Sequence, residues 1–129
     1  MAKRILVVDD DRPIADLITA ALSVEGYETS QMTQALRFFD ALREHRPHLI
    51  LLDMMMPYLN GTDELRLMHM DPETANTPVI IVTAYPEVKA QEADLRKLGV
   101  VDIILKPFDI DMLVKRVKDT IGEPQGVGR

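Results

Sequence analysis

The sequence predicts a layered α/β architecture, one parallel five-stranded sheet with helices on both faces, on three observations. Short branched apolar runs, Ile5 to Val8, Leu49 to Leu52, Val79 to Val82 and Val100 to Leu105, have the length and composition of strands buried on both faces. Stretches with apolar residues at helical spacing lie between them, so strand and helix alternate five times through connections of ordinary length. Polar groups collect where the runs stop: Asp9 and Asp10, Asp53, Thr83 and Lys106.

The 129 residues suffice for one domain with a real core and are too few for two ordinary ones. A hydrophobic fraction of 47% argues against disorder, and the absence of cysteine excludes both a disulfide framework and a thiolate metal site. Fifteen Lys and Arg against 21 Asp and Glu give a formal charge of −6, a poor balance for gripping phosphate backbones. Direct nucleic-acid binding is therefore not expected; protein partners or a hard cation fit better. The apolar run after Lys3-Arg4 is too short for a signal peptide, and no stretch approaches a membrane span. A cytoplasmic protein is the expectation.

Taken in order, Ile5 to Val8 forms the first strand and ends at Asp9-Asp10-Asp11. Pro13 suits a first helical turn, and Ile14, Leu17, Ile18, Ala21 and Leu22 trace one face of a helix stopped by Gly26. Tyr27 to Met32 is a thin strand suited to a sheet edge. Thr33 is the expected N-cap of a second helix with Ala35, Leu36, Phe39 and Leu42 inward and Phe38 broadening the stripe. Pro47 hands over to the central strand Leu49 to Leu52, which Pro57 bounds on the far side. Gly61 and Thr62 open a third helix carrying Leu65, Leu67 and Met68, and Asp71 to Pro78 reads as a loop.

Val79 to Thr83 is the fourth strand. The fourth helix, Glu87 to Leu98, is the least amphipathic, with Val88, Leu95 and Leu98 its main apolar members. Val100 to Leu105 is the last strand. Asp109 then caps a helix carrying Ile110, Leu113, Val114, Val117 and Ile121. Residues 1–122 are read as the domain, and 123–129, with two glycines and a proline, as a flexible tail or the start of a linker.

Right-handed crossovers cover both faces of such a sheet when the strand order reverses once, as in 2-1-3-4-5, the flavodoxin-like doubly wound (βα)5 sandwich. The first and third strands are then neighbours, and Asp9, Asp10 and Asp53 meet at the switch point. Two carboxylates about 4 Å apart repel by about 4 kcal/mol at an effective dielectric of roughly 20, so the cluster calls for a cation. Oxygen donors without His or Cys favour Mg²⁺ or Mn²⁺, and Lys106 supplies further positive charge. A carboxylate in such a setting can attack phosphorus, with the Thr83 hydroxyl a donor to the phosphoryl group that results.

These segments resemble the receiver domain of bacterial two-component response regulators, the family that includes the single-domain chemotaxis regulator. The resemblance runs from Lys3 to about Ile121. It rests on Ile5-Leu6-Val7-Val8-Asp9-Asp10, on Leu51-Leu52-Asp53-Met54-Met55-Met56-Pro57 with Gly61, on Val82-Thr83-Ala84 and on Lys106-Pro107-Phe108. It implies a phosphorelay module in which Asp53 accepts a phosphoryl group from a sensor histidine kinase or phosphotransfer protein. By the same resemblance Asp10 is the main carboxylate ligand of Mg²⁺, Asp9 acts largely through water, and the Met55 carbonyl completes the protein ligands. Thr83 is the switch hydroxyl, Lys106 pairs with the phosphoryl group, and the Lys106–Pro107 bond is cis. The output is an unknown downstream protein or an output domain beyond Arg129.

Ile103 departs from the family, which commonly places an aromatic residue or histidine three positions before the lysine, where it swings inward on phosphorylation. Tyr85, two residues after Thr83, is the alternative bearer of that switch task. Asp11 reads as a loop or helix-start charge. His45, His48 and His69 lack metal-ligand spacing, and Met54 to Met56 read as loop and core packing. Two rival functions share parts of the pattern: an aspartate-nucleophile phosphohydrolase, and a receiver-like scaffold that binds partners without phosphorylation. The hydrolase reading lacks an acid/base, because Met55 stands two residues after Asp53, where such enzymes carry a second aspartate.

Overall fold

A computed structural model describes residues 2–56 and 60–125; Met1, Pro57 to Leu59 and Gly126 to Arg129 lie outside the described residues. Strands β1 (Arg4–Val8), β2 (Glu28–Met32), β3 (Leu49–Leu52), β4 (Val79–Thr83) and β5 (Val100–Leu105) form one parallel sheet in the order β2-β1-β3-β4-β5. Its helices are α1 (Arg12–Glu25), α2 (Phe38–His45), α3 (Gly61–Met70), α4 (Glu92–Arg96) and α5 (Ile110–Ile121). The expected (βα)5 topology and strand order are both present.

Alternation along the buried strands divides the core in two. Leu6, Val8, Ile50, Leu52, Val79, Ile81 and Ile103 pack with Phe38 and Leu42 of α2, Leu65 and Met68 of α3, and Leu95 of α4. On the other face Ile5, Val7, Leu49, Leu51, Ile80, Val82 and Ile104 pack with Ala15, Ile18 and Leu22 of α1 and with Leu113 and Val117 of α5. All four residues of β3 are buried, as befits the middle strand of a covered sheet.

Helix ends follow local chemistry. Asp11 caps α1 by accepting from the Ile14 amide at 3.3 Å. Gly26 closes the helix at φ 111°, a left-handed angle that favours glycine. Asn60 caps α3, and Asp109 caps α5 by accepting from the Asp111 and Met112 amides. Gly61 is tightly packed: a β-carbon there falls 2.4 Å from the Met54 sulfur.

Three elements differ from expectation. The inward stripe of α1 runs through Ala15, Ile18 and Leu22 and leaves Leu17 exposed, a rotation of the predicted face by one small residue. Thr33 caps nothing. Ala35–Arg37 forms a 3₁₀ turn, whose three-residue period throws Leu36 into solvent at 89% exposure before α2 starts at Phe38. The fourth helical segment is 3₁₀ from Pro86 to Gln91 and α-helical only over Glu92–Arg96. Its two buried anchors, Val88 and Leu95, give a long helix little to pack on.

The expected loose tail also begins differently. The Lys3 amide donates to the Pro124 carbonyl at 2.7 Å, Ala2 and Gln125 form an antiparallel bridge, and the Tyr27 hydroxyl donates to Gly122 O at 2.5 Å. The Lys3 ammonium donates to Ile121 O, and Pro124 is buried above Gly26. The segment through Gln125 is thus fastened to the start of β1.

Candidate phosphoryl-acceptor site

The site grows from the C-terminal edge of the sheet. The backbone ladder continues past the strands: the Asp9 amide donates to Met32 O, the Asp53 amide to Val8 O at 2.9 Å, and the Lys106 amide to Thr83 O at 2.8 Å. Residues 9, 53 and 106 are therefore held by strand geometry before their side chains make any contact. Asp9, Asp53 and Thr83 are the buried polar residues of the described chain, while Asp10 is exposed at the rim.

Asp9, Asp10 and Asp53 each offer a carboxylate oxygen within 4.8 Å of the others. Lys106 Nζ donates to Asp9 Oδ2 at 2.7 Å and to Asp53 Oδ2 at 3.2 Å. The second oxygens are also engaged: Asp9 Oδ1 accepts from the Asp11 amide and Asp53 Oδ1 from the Met55 amide, each at 2.9 Å. Burial pushes the Asp9 carboxyl above the usual carboxylate range, against the stabilising hydrogen bonds from Lys106 and the Asp11 amide. Burial works to lower Lys106, but the hydrogen bond to Asp9 and the charge of Asp53 outweigh it and hold the ammonium protonated. One ammonium paired with two of the three carboxylates leaves the pocket net negative. That surplus, and donors that are all hard oxygens, fit a divalent hard ion.

Thr83 ends β4 fully buried, and its Oγ1 accepts from the Tyr85 amide at 3.3 Å. Tyr85, 49% exposed, and Met55, 50% exposed, both line a cleft of about 590 Å³ that Thr83 also lines. Ile103 is not at this edge. It pairs with Ile81 and is buried in the α2–α4 cluster. The Lys106–Pro107 peptide is cis. The amides of Asp11 and Met55, which orient the two buried carboxylates, were not singled out from sequence; backbone donors carry no residue signature. Nor was the Asp102–Arg116 pair, at 2.6 and 2.8 Å, which a register shift in β5 beside Val101 aims at α5.

Comparison with known proteins agrees with this geometry. The family model described as the response regulator receiver domain matches residues 5–118. The DNA-binding response regulator MtrA of Mycobacterium tuberculosis is 38% identical over 118 residues, 92% of this chain and 50% of that protein. The chain thus spans about half the length of the first relatives it matches. Sporulation initiation phosphotransferase F of Bacillus subtilis is 38% identical across 92% of this chain and 93% of its own. A CheY-like receiver domain from Methanospirillum hungatei superposes with a TM-score of 0.82 at 29% identity, covering 93% of this chain and 94% of that one. With the strand order and the acidic switch point in place and the family model matched over residues 5–118, the chain belongs to the response regulator receiver domain family.

Proposed function

We propose that the chain is the phosphoacceptor module of a two-component phosphorelay, with Asp53 as nucleophile. The observation that carries this is the Lys106 ammonium within hydrogen-bonding distance of both Asp9 and Asp53 at the meeting point of three carboxylates. An Asp53 oxygen attacks the phosphorus of a phosphohistidine on a sensor histidine kinase or phosphotransfer protein. The P–N bond breaks, the imidazole leaves and an acyl phosphate remains. Lys106 lowers the repulsion between the entering anion and the cluster, and the Thr83 hydroxyl donates to the bound phosphoryl group.

Asp10, Asp53 and the Met55 carbonyl, with Asp9 acting largely through water, are the groups that would hold Mg²⁺ or Mn²⁺. Such an ion, when bound, would supply charge neutralisation at the transferring phosphoryl group. Turnover of phosphomonoesters is disfavoured because Met55 offers no titratable group. The compartment proposed is the cytoplasm; among the described residues no helix is long and apolar enough to cross a membrane. The phosphoryl group alters docking to a downstream protein or to an output domain joined after Arg129.

Intact-mass measurement after incubation with Mg²⁺ and acetyl phosphate tests the assignment. One added phosphoryl group is expected in the wild type and none in Asp53→Asn. Full modification of that variant would move the nucleophile elsewhere.

A further inference from the structure

The geometry points to Tyr85, in place of Ile103, as the side chain that reports phosphorylation, by moving into the cleft beside Thr83. The inference rests on Asp53 being the phosphoacceptor. Ile103 is only 6% exposed and packs in the cluster that holds Val88 and Leu95. It already occupies an inward position, has no polar atom to satisfy elsewhere, and its branched β-carbon allows few rotamers. An inward swing has nothing to gain there.

Tyr85 is placed differently. Half of it is in solvent, and it stands on the cleft that Thr83, Met55, Met56 and Val88 help to line. Its backbone hangs between two anchors: its amide donates to Thr83 Oγ1 at 3.3 Å, and its carbonyl accepts from the Val88 amide at 3.2 Å. A threonine hydroxyl has one proton to give. A phosphoryl group on Asp53 brings new anionic acceptors, and when the Thr83 side chain moves towards them to donate, its oxygen shifts. The bond from the Tyr85 amide is already long, so residue 85 either follows the oxygen or loses it. Both outcomes re-aim a ring that borders open space. Inside the cleft the ring gains apolar contact with adaptable methionines, while its hydroxyl keeps a route to water. Tyr85 is thus a positioning residue for output, coupled to Asp53 through Thr83.

The test is ¹⁹F NMR of the full chain carrying 3-fluorotyrosine, with Tyr27, Tyr58 and Tyr85 assigned through single Tyr→Phe variants. Backbone amides and Ile103 methyls are followed in parallel, before and after Mg²⁺ with beryllofluoride. Shifts at the Met55 and Thr83 amides, a Tyr85 signal displaced by more than its linewidth, an unmoved Tyr27 signal and unchanged Ile103 rotamer populations are expected. In Thr83→Ala the Tyr85 displacement should vanish while the Met55 amide still responds. Amides at 55 and 83 that ignore beryllofluoride would overturn the acceptor reading and this inference with it. Amides that respond while Tyr85 stays still, a rotamer change at Ile103, or a Tyr85 response that survives in Thr83→Ala would overturn the inference alone.

Discussion

At the scale of single residues the site balances one ammonium against buried negative charge. Among the described residues Lys106 is the only side-chain donor found on Asp9, which is almost wholly buried. Removing one partner of a buried pair costs about 3–5 kcal/mol because the other is left uncompensated. Lys106→Met should therefore destabilise the metal-free protein by about 3 kcal/mol, towards the lower end because the Asp11 amide still serves Asp9. Much of the loss should return in millimolar Mg²⁺, since a cation bound to N and not to U stabilises by mass action. Urea unfolding in EDTA and in Mg²⁺ measures both, and an equal loss in the two buffers would count against metal binding at this cluster. Asp9, Asp10, Asp53, Thr83 and Lys106 were legible in sequence because each is the polar residue that stops an apolar run. The distribution of duties among them was not. Which carboxylate takes the ammonium depends on the splay of two strands, and adjacent aspartates in a sequence carry no sign of which is buried.

At the scale of elements, strands and strong helices were legible and weak helices were not. Helix α5 appears with its expected cap and stripe because Leu113 and Val117 give it two fully buried anchors. The second helical segment has no buried residue before Phe38, and the two anchors of the fourth lie seven residues apart; there turn geometry overrode the apolar spacing, as Leu36 shows. The hand-over from α2 to β3 carries a pH dependence. The Arg4 amide donates to His48 Nδ1 at 2.8 Å, which requires that nitrogen to be unprotonated. Burial, then the charges of Arg4 and Lys3, hold His48 below its ordinary 6.5. The folded state thus binds fewer protons than the unfolded one, so this contribution is full above 6.5 and is lost as pH falls through the lowered value. His48→Ala should flatten the fall in melting temperature as pH drops below 6.5. At the same end of β1, Tyr27 holds the C-terminal segment. Burial, then Glu123 and Glu25, push its phenol up to about 12, so it remains a donor across the whole neutral range. Tyr27→Phe should cost about 1 kcal/mol. It should also quicken exchange of the Lys3 amide, which the same segment protects.

At the scale of the whole molecule, the strand order could be argued beforehand because handedness and burial leave few ways to cover both faces of five apolar strands. The fastening of residues 122–125 could not. Glycine and proline predict where a chain lacks regular structure, but Pro124 is buried against a backbone more than ninety positions away, a fit that no local pattern encodes. The fastening has a topological consequence. With Ala2 and Gln125 bridged, the two ends of the described chain lie side by side, and continuity of the backbone is dispensable at the point where they meet. A circular permutant in which a short glycine-rich link joins Gln125 to Ala2, opened in the polar loop between Asp71 and Thr77, should fold and keep its response to Mg²⁺ and beryllofluoride. That loop lies at the end of the sheet away from Asp53, so the cut spares the site. Amide spectra of the permutant compared with those of the parent decide the matter, and a chain that fails to fold would mean that β1 must precede the other strands for the sheet to assemble.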